Sequence, residues 1–148
     1  MLRTVATSAH RLLRLGWYLR RPRSLGAHAL ALTDKREIVL VKLRYVEGWR
    51  VPGGGRKPGE DPLEAVLREL REEIGLQSHG ATRFAGETSE EVFHKRDTST
   101  LHIVEDVVFR PPRWSLEVEE VRAFALDDLP PDLHGTARRW IAELQAEG

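Results

Sequence analysis

The sequence predicts an α/β domain built on a mixed sheet that is covered by helices on both faces. Three observations predict it. Alternating or β-branched stretches lie on both sides of residues 61–75, those residues carry the signals of one capped amphipathic helix, and a second amphipathic helix closes the chain. Strands, a helix, strands and a helix again is the order expected of a sheet layered between helices. A chain of 148 residues fits one domain with its own hydrophobic core.

The elements follow in order. Ala27 to Thr33 (AHALALT) alternates as a strand does, Asp34-Lys35 makes a polar turn, and Ile38 to Leu43 is β-branched, so a hairpin is expected. Gly48 to Pro52 reads as a short strand running into three glycines. Asp61 is a good N-cap, Pro62 suits the first helical position, Glu64 completes a capping-box spacing and Gly75 ends the helix. Within it, Leu63, Val66, Leu67, Leu70 and Ile74 form one apolar stripe. Arg83 to Thr88 and Thr100 to Phe109 are further strands around the polar, hairpin-like EEVFHKRDTS, and Glu120 to Leu126 is the last strand. The closing helix, roughly residues 135–146, turns Ala137, Trp140, Ile141 and Leu144 to one side.

Composition narrows the class. A hydrophobic fraction of 41% with 31% charged residues is that of a soluble globular chain. Nothing approaches the roughly 18 apolar residues of a spanning helix. The absence of cysteine removes disulfides, a thiol nucleophile and cysteine-based zinc sites, which fits a cytoplasmic setting. The net charge of zero hides an asymmetry: six arginines precede the first acid, Asp34, and beyond them 23 acidic residues face 17 basic ones. Residues 1–25 are expected to form a basic amphipathic extension, with Leu2, Val5, Ala9, Leu12, Leu13 and Trp17 on one side. A mitochondrial transit peptide is the alternative reading of that segment. With an acidic body and only a short basic run, nucleic acid is not the expected partner.

The stretch GGRKPGEDPLEAVLRELREEIGL, residues 54–76, concentrates five glutamates and four basic residues. Glu69 and Glu73 lie one helical turn apart with Glu72 on the neighbouring edge. Like charges at that spacing cost a few tenths of a kcal/mol per pair, roughly. A solvated face relieved by Arg68 and Arg71 is one explanation; a collected set of ligands is the other. The adjoining loop, with Gly53, Gly54, Gly55 and Gly59, favours the second, because glycine lets backbone approach a ligand closely. Carboxylates and a backbone carbonyl are the hard oxygen donors preferred by Mg²⁺ or Mn²⁺, and magnesium recruits substrate phosphates.

These residues resemble the Nudix box. Gly54, Glu60, Arg68-Glu69-Leu70, Glu72-Glu73 and Gly75-Leu76 fill every fixed position at the box spacing. The resemblance implies a Nudix-type α/β/α sandwich over residues 26–148 and metal-dependent hydrolysis of a nucleoside diphosphate derivative. It implies that Glu69, Glu72, Glu73 and the Gly53 carbonyl hold Mg²⁺ (or Mn²⁺), that Arg68 orients the carboxylates, and that Glu60 braces the loop. The general base is open between Glu69, Glu117, Glu119, Glu120, Glu90 and Glu91, with Glu117 favoured from its distance to the last strand. Arg50 and Arg56, with Arg44 and Lys57, flank the site as candidates for substrate phosphates. Trp49 is a candidate stacking face, with Tyr45 and Phe93 also available. The Val92-Phe93-His94 region carries neither the proline of ADP-ribose subgroups nor the tyrosine of dinucleoside polyphosphate subgroups. Two alternatives stand beside hydrolysis of a small nucleotide: a non-catalytic nucleotide-sensing module, and an enzyme acting on RNA 5′ ends.

Overall fold

The computed structural model describes residues 24–92 and 95–147. Residues 1–23 of the basic extension, and with them Phe93 and His94, lie outside the described residues, and its last two, Ser24 and Leu25, open the first strand. The strands are β1 (Ser24–Ala31), β2 (Glu37–Leu43), β3 (Trp49–Arg50), β4 (Gly53–Gly55), β5 (Leu76–Ser78), β6 (Thr82–Val92), β7 (Lys95–Val104), β8 (Val108–Phe109) and β9 (Val118–Ala125). The helices are α1 (Pro62–Glu73) and α2 (Gly135–Glu147).

Pairing gives a sheet in the order β4-β1-β7-β6, a second in the order β3-β2-β9 and a small β5-β8 pair. The β1–β7 pair is parallel and the others are antiparallel, so the architecture is mixed. The expected hairpin of β1 and β2 is reduced to its turn. Thr33 donates to the Glu37 carbonyl and the strands touch through one bridge, Leu32 to Ile38, before parting into different sheets. Both strands are buried on both faces, and each meets its backbone needs with a neighbour on either side. The polar piece between β6 and β7 is regular: the ladder continues through Glu90–Asp97, Glu91–Arg96 and Val92–Lys95.

The alternation along β1 sorts the core into two clusters. Ala27, Ala29 and Ala31 pack with Val39, Val41 and the α1 residues Ala65, Val66, Leu70 and Ile74. Leu30 and Leu32 face the other way, packing with Ile38, Leu40, Trp49 and the α2 residues Ala137, Trp140, Ile141 and Leu144. The small alanine side chains let α1 sit close to the sheet, which brings its carboxylates down to the backbone of β4.

Candidate active site

The glycine connection is dictated by what presses on it. After Val51 and Pro52, β4 lies antiparallel on β1, with Gly53 opposite His28 and Gly54 opposite Ala27. Gly53 has φ +153°, and a β-carbon there would collide with the Ala27 carbonyl and the His28 ring. A β-carbon on Gly54 would sit 2.6 Å from a Glu69 carboxylate oxygen. Glycine is required at 53, where the close neighbours are backbone, and at 54 it leaves room for a carboxylate of α1 to rest on the chain.

The start of α1 fixes its azimuth. Asp61 Oδ2 accepts from the Leu63 and Glu64 amides at 3.1 and 3.2 Å, and Pro62 occupies the first turn. Arg68, one face further on, ties the loop to the helix. Its Nε and Nη2 donate to the two Glu60 oxygens at 2.9 Å each, Nη2 also reaches the Gly55 carbonyl at 3.0 Å, and Nη1 donates to Glu69 at 3.1 Å. Glu60 in turn accepts the Lys57 amide at 2.9 Å. A planar, forked cation suits this bidentate duty. The Arg68 hydrogen bonds and the Lys57 amide hold the Glu60 carboxyl down to about 2, and Glu60 raises the affinity of Arg68 for its proton.

Glu73 is the unusual member. It is 6% exposed although it ends the helix, and one carboxylate oxygen accepts the Gly53 amide at 3.3 Å. Burial first, then the neighbouring Glu69, push its carboxyl well above the ordinary carboxylate range, against the Gly53 hydrogen bond. A buried carboxyl whose charge is disfavoured by desolvation and by a neighbouring carboxylate is a site that a cation would relieve. Hard oxygen donors of this kind suit Mg²⁺ or Mn²⁺. Glu72 lies on the solvent side of this pair: its side chain is 60% exposed, 3.6 Å from Arg68 Nη1. Among the described residues no three carboxylate or imidazole groups converge on a single point.

Behind Glu73 runs a narrow cleft of about 70 Å³ walled by Pro111, Pro112, Ser115, Val118, Glu119, Glu120 and Val121. Glu119 stands at a bulge. Lys42 pairs with Glu120 and Leu43 with Val118, so Glu119 has no partner across the ladder. Glu119 also borders an open groove of about 510 Å³ lined by Lys42, Arg44, Tyr45, Glu47 and Asp132. The two spaces therefore meet at one carboxylate.

Against this geometry, a model of the NUDIX domain matches residues 22–144. The chain belongs to the NUDIX domain family. Among NUDIX structures it is similar to the MutT NUDIX hydrolase from Burkholderia pseudomallei, at 22% identity with a TM-score of 0.71, covering 84% of this chain and 99% of that one. It also resembles the MutT protein from Methanosarcina mazei Go1, at 24% identity with a TM-score of 0.67, covering 86% of this chain and 96% of that one. These likenesses establish the fold. A stretch of 43 residues, 29% of this chain and 24% of the relative, is 46% identical to the RNA pyrophosphohydrolase of Ruthia magnifica subsp. Calyptogena magnifica. The matched stretches span 24% to 36% of the lengths of the curated relatives.

The sequence-predicted residues divide by where this NUDIX domain puts them. Gly53, Glu69, Glu73 and Arg68 come together, whereas Glu72 stands at the solvent edge. Arg56 donates its amide to the Leu25 carbonyl at 2.7 Å and lies half-buried at the rim of the loop. Arg50, opposite Val41 on β2, is half-buried. Glu117 holds the β2 end with its carbonyl, which accepts the Arg44 amide at 2.8 Å, and it is not among the residues walling the cleft. Trp49, expected as a stacking face, is instead a core residue. It is 5% exposed and edge-on to Phe124 at 4.9 Å, with Lys42 and Arg122 over its ring. Sequence reasoning passed over Trp114, which is 62% exposed in the loop that walls the cleft. The signal available was a tryptophan directly after Arg110-Pro111-Pro112-Arg113, where a core position is implausible.

Among the described residues, no helix is long and apolar enough to cross a membrane.

Proposed function

We propose that this chain is a divalent-cation-dependent pyrophosphohydrolase that cleaves the diphosphate linkage of a nucleoside diphosphate derivative by water attack at phosphorus. The observation that carries the proposal is the buried Glu73 carboxyl, set against Glu69 and the glycine backbone. A desolvated acidic pair without a cation is a standing cost to the fold, and a ligand site explains why it is kept.

Glu73 and Glu69, with the Gly53 carbonyl and with Glu72 on the solvent side, are the groups that would hold Mg²⁺ or Mn²⁺. The chemistry such a cation supplies when bound is neutralisation of diphosphate charge and acidification of water. Arg68 keeps the Glu69 carboxylate at the loop by binding Glu60 and Gly55 simultaneously. Arg56 and Arg50, on either side of the glycines, bind substrate phosphates. The bulge supports Glu119, rather than Glu117, as the group that takes the proton from the attacking water. The 510 Å³ groove has the size of a site for the nucleoside part and opens onto the same carboxylate.

The test is release of phosphate and nucleotide from a panel of nucleoside diphosphate derivatives, with wild type and Glu73→Gln side by side. Glu73→Gln is expected to lose turnover about a hundredfold or more, and chelation of the cation should abolish turnover in wild type. Thermal melts supply a second readout. Mg²⁺ or Mn²⁺ should raise Tm for wild type and not for Glu73→Gln, since a ligand stabilises only the state that binds it. A panel with no turnover, or a Glu73→Gln chain that keeps full activity, would sink the proposal.

An RNA 5′ end is the second reading, favoured by the stretch shared with an RNA pyrophosphohydrolase and by the six arginines before Asp34. It predicts steep loss of RNA binding with salt and weaker binding on removal of residues 1–25. Insensitivity to both would leave the small-nucleotide reading alone.

A further inference from the structure

Arg44 follows β2 directly and lines the 510 Å³ groove, yet the chemistry assigned above gives it no part. Its hydrogen bonds run to the segment between β8 and β9, residues 110–117 (RPPRWSLE). The Arg44 amide donates to the Glu117 carbonyl at 2.8 Å, and its Nε donates to the Ser115 carbonyl at 2.8 Å. The Ser115 hydroxyl closes the turn by accepting the Glu117 and Val118 amides at 3.2 and 3.1 Å. At the far end Arg110 donates its amide to the Gly75 carbonyl at 2.9 Å, just past the end of α1. The segment is fastened at both ends, and Pro111 and Pro112 restrict the backbone between them.

Glu119 stands two residues beyond this fastening. The ladder pairs Val118 with Leu43 and Glu120 with Lys42, and it skips Glu119. A bulge residue takes its direction from the chain on either side of it rather than from a partner across the ladder. On one side that chain is β9 from Glu120 onward. On the other it is Val118 and the turn at 115–117, which Arg44 grips. Glu119 borders both the cleft behind Glu73 and the groove, and Ser115 and Val118 wall the cleft with it. A bond from a guanidinium is charge-assisted and stronger than a neutral one. Arg44 is half-buried, where water competes less for its donors.

We infer that Arg44 is a positioning residue for the hydrolysis: by gripping Ser115 and Glu117 it holds the bulge so that Glu119 stands between cleft and groove. The inference rests on the proposed function, in which Glu119 takes the proton from the attacking water. It assigns Arg44 to the loop rather than to a substrate phosphate. Loss of the grip slows proton transfer and leaves nucleotide binding in place.

The test is steady-state turnover of the best substrate in the panel by wild type, Arg44→Ala, Arg44→Lys, Glu119→Gln and the double variant Arg44→Ala/Glu119→Gln. Arg44→Ala should lower kcat about 10- to 100-fold, as misplacement of a reacting group does. Its KM should stay within about twofold of wild type, since no substrate contact is removed. Arg44→Lys, which can still donate to the Ser115 carbonyl, should recover part of kcat. The double variant should be no slower than Glu119→Gln alone, because a base can be lost only once. Trypsin cleavage after Arg113 gives a readout without turnover: Arg44→Ala should be cut faster than wild type, and Glu119→Gln at the wild-type rate. Wild-type kcat in Arg44→Ala overturns the inference. So do losses that multiply in the double variant, a raised KM at unchanged kcat, or unchanged trypsin cleavage. Should Arg44→Ala fail to fold, Arg44→Gln takes its place in the same cycle. Turnover that ignores Arg44 rejects this inference and leaves the hydrolase reading standing. No turnover by wild type, with faster cleavage of Arg44→Ala, rejects the hydrolase reading and keeps the grip of Arg44 on the loop.

Discussion

The two faces of β1 differ in kind. On one, Leu30 and Leu32 meet Trp140, Ile141 and Leu144 of α2, a contact made of bulk. On the other, Ala27, Ala29 and Ala31 meet α1, a contact made of closeness. The first removes large apolar surfaces from water and carries no charge. The second gives up side-chain volume so that a helix bearing Arg68, Glu69 and Glu73 can rest on glycine backbone. One strand thus separates stabilisation from chemistry: side chains that fill space lie behind it, and the groups that hold position lie in front.

The comparison is broken most severely from the α2 side. Ile141 is fully buried in the cluster with Leu30, Leu32 and Trp140. Ile141→Ala should destabilise the fold by about 2–5 kcal/mol through lost burial and the cavity left behind, read as a lower denaturant midpoint. The fraction that remains folded should turn over substrate within a few-fold of wild type. A variant with unchanged stability, or one that loses catalysis while fully folded, would mean the two faces are not independent.

On the α1 side the expected order of effects is inverted. Arg68→Lys keeps the charge but cannot grip Glu60 with two parallel hydrogen bonds while also holding Gly55 and Glu69. Activity should fall about 10- to 100-fold, with a smaller change in stability. The acid limb supplies the sign. In wild type the Glu60 carboxyl is depressed from 4.5 to about 2, so its contribution is present above the ordinary value and is lost as pH falls through about 2. With lysine at 68 the depression shrinks, so the loss should be smaller and should be complete at a higher pH. Coincident acid profiles would show that the Arg68–Glu60 pair does not brace the loop.

How much of this was legible beforehand depends on whether the determining contacts are local. The box helix was readable because its cap, stripe and terminal glycine all lie within residues 61–75, and the residues that gather Arg68, Glu69 and Glu73 repeat at helical spacing. The closing helix was readable for the same reason, with Ala137, Trp140, Ile141 and Leu144 all buried. What escaped depends on partners distant in sequence. Glu119 walls the cleft at a register shift against Lys42 and Leu43, nearly eighty positions away. Trp49 looked available because a two-residue strand does not announce which face it buries, and Phe124 and Arg122 of β9 decide that. The β1–β2 turn was correct and the hairpin was not, since each strand prefers neighbours that enter the sheets later in the chain.

The smallest effect tests whether the α1 side tolerates uncharged polarity as well as charge. His102 on β7 is buried, edge-on to Phe84 at 5.5 Å, with a buried Nδ1 that has no hydrogen-bond partner among the described residues. Burial lowers its affinity for a proton, and Asp61 at the α1 cap opposes this only in part. A histidine whose folded pKa lies below 6.5 is kept neutral by the fold. Its contribution is therefore fully present above the unfolded value and is lost as pH falls through the depressed one. Wild type should lose stability as pH drops from 7 toward 5, and His102→Gln, which cannot titrate, should flatten that slope. Activity at neutral pH should be unchanged in the variant, since His102 touches neither the glycine loop nor the cleft. A slope that persists in His102→Gln would assign the neutral-to-acid transition to another group, and the charged lattice of Arg68, Glu69 and Glu73 would be the first place to look.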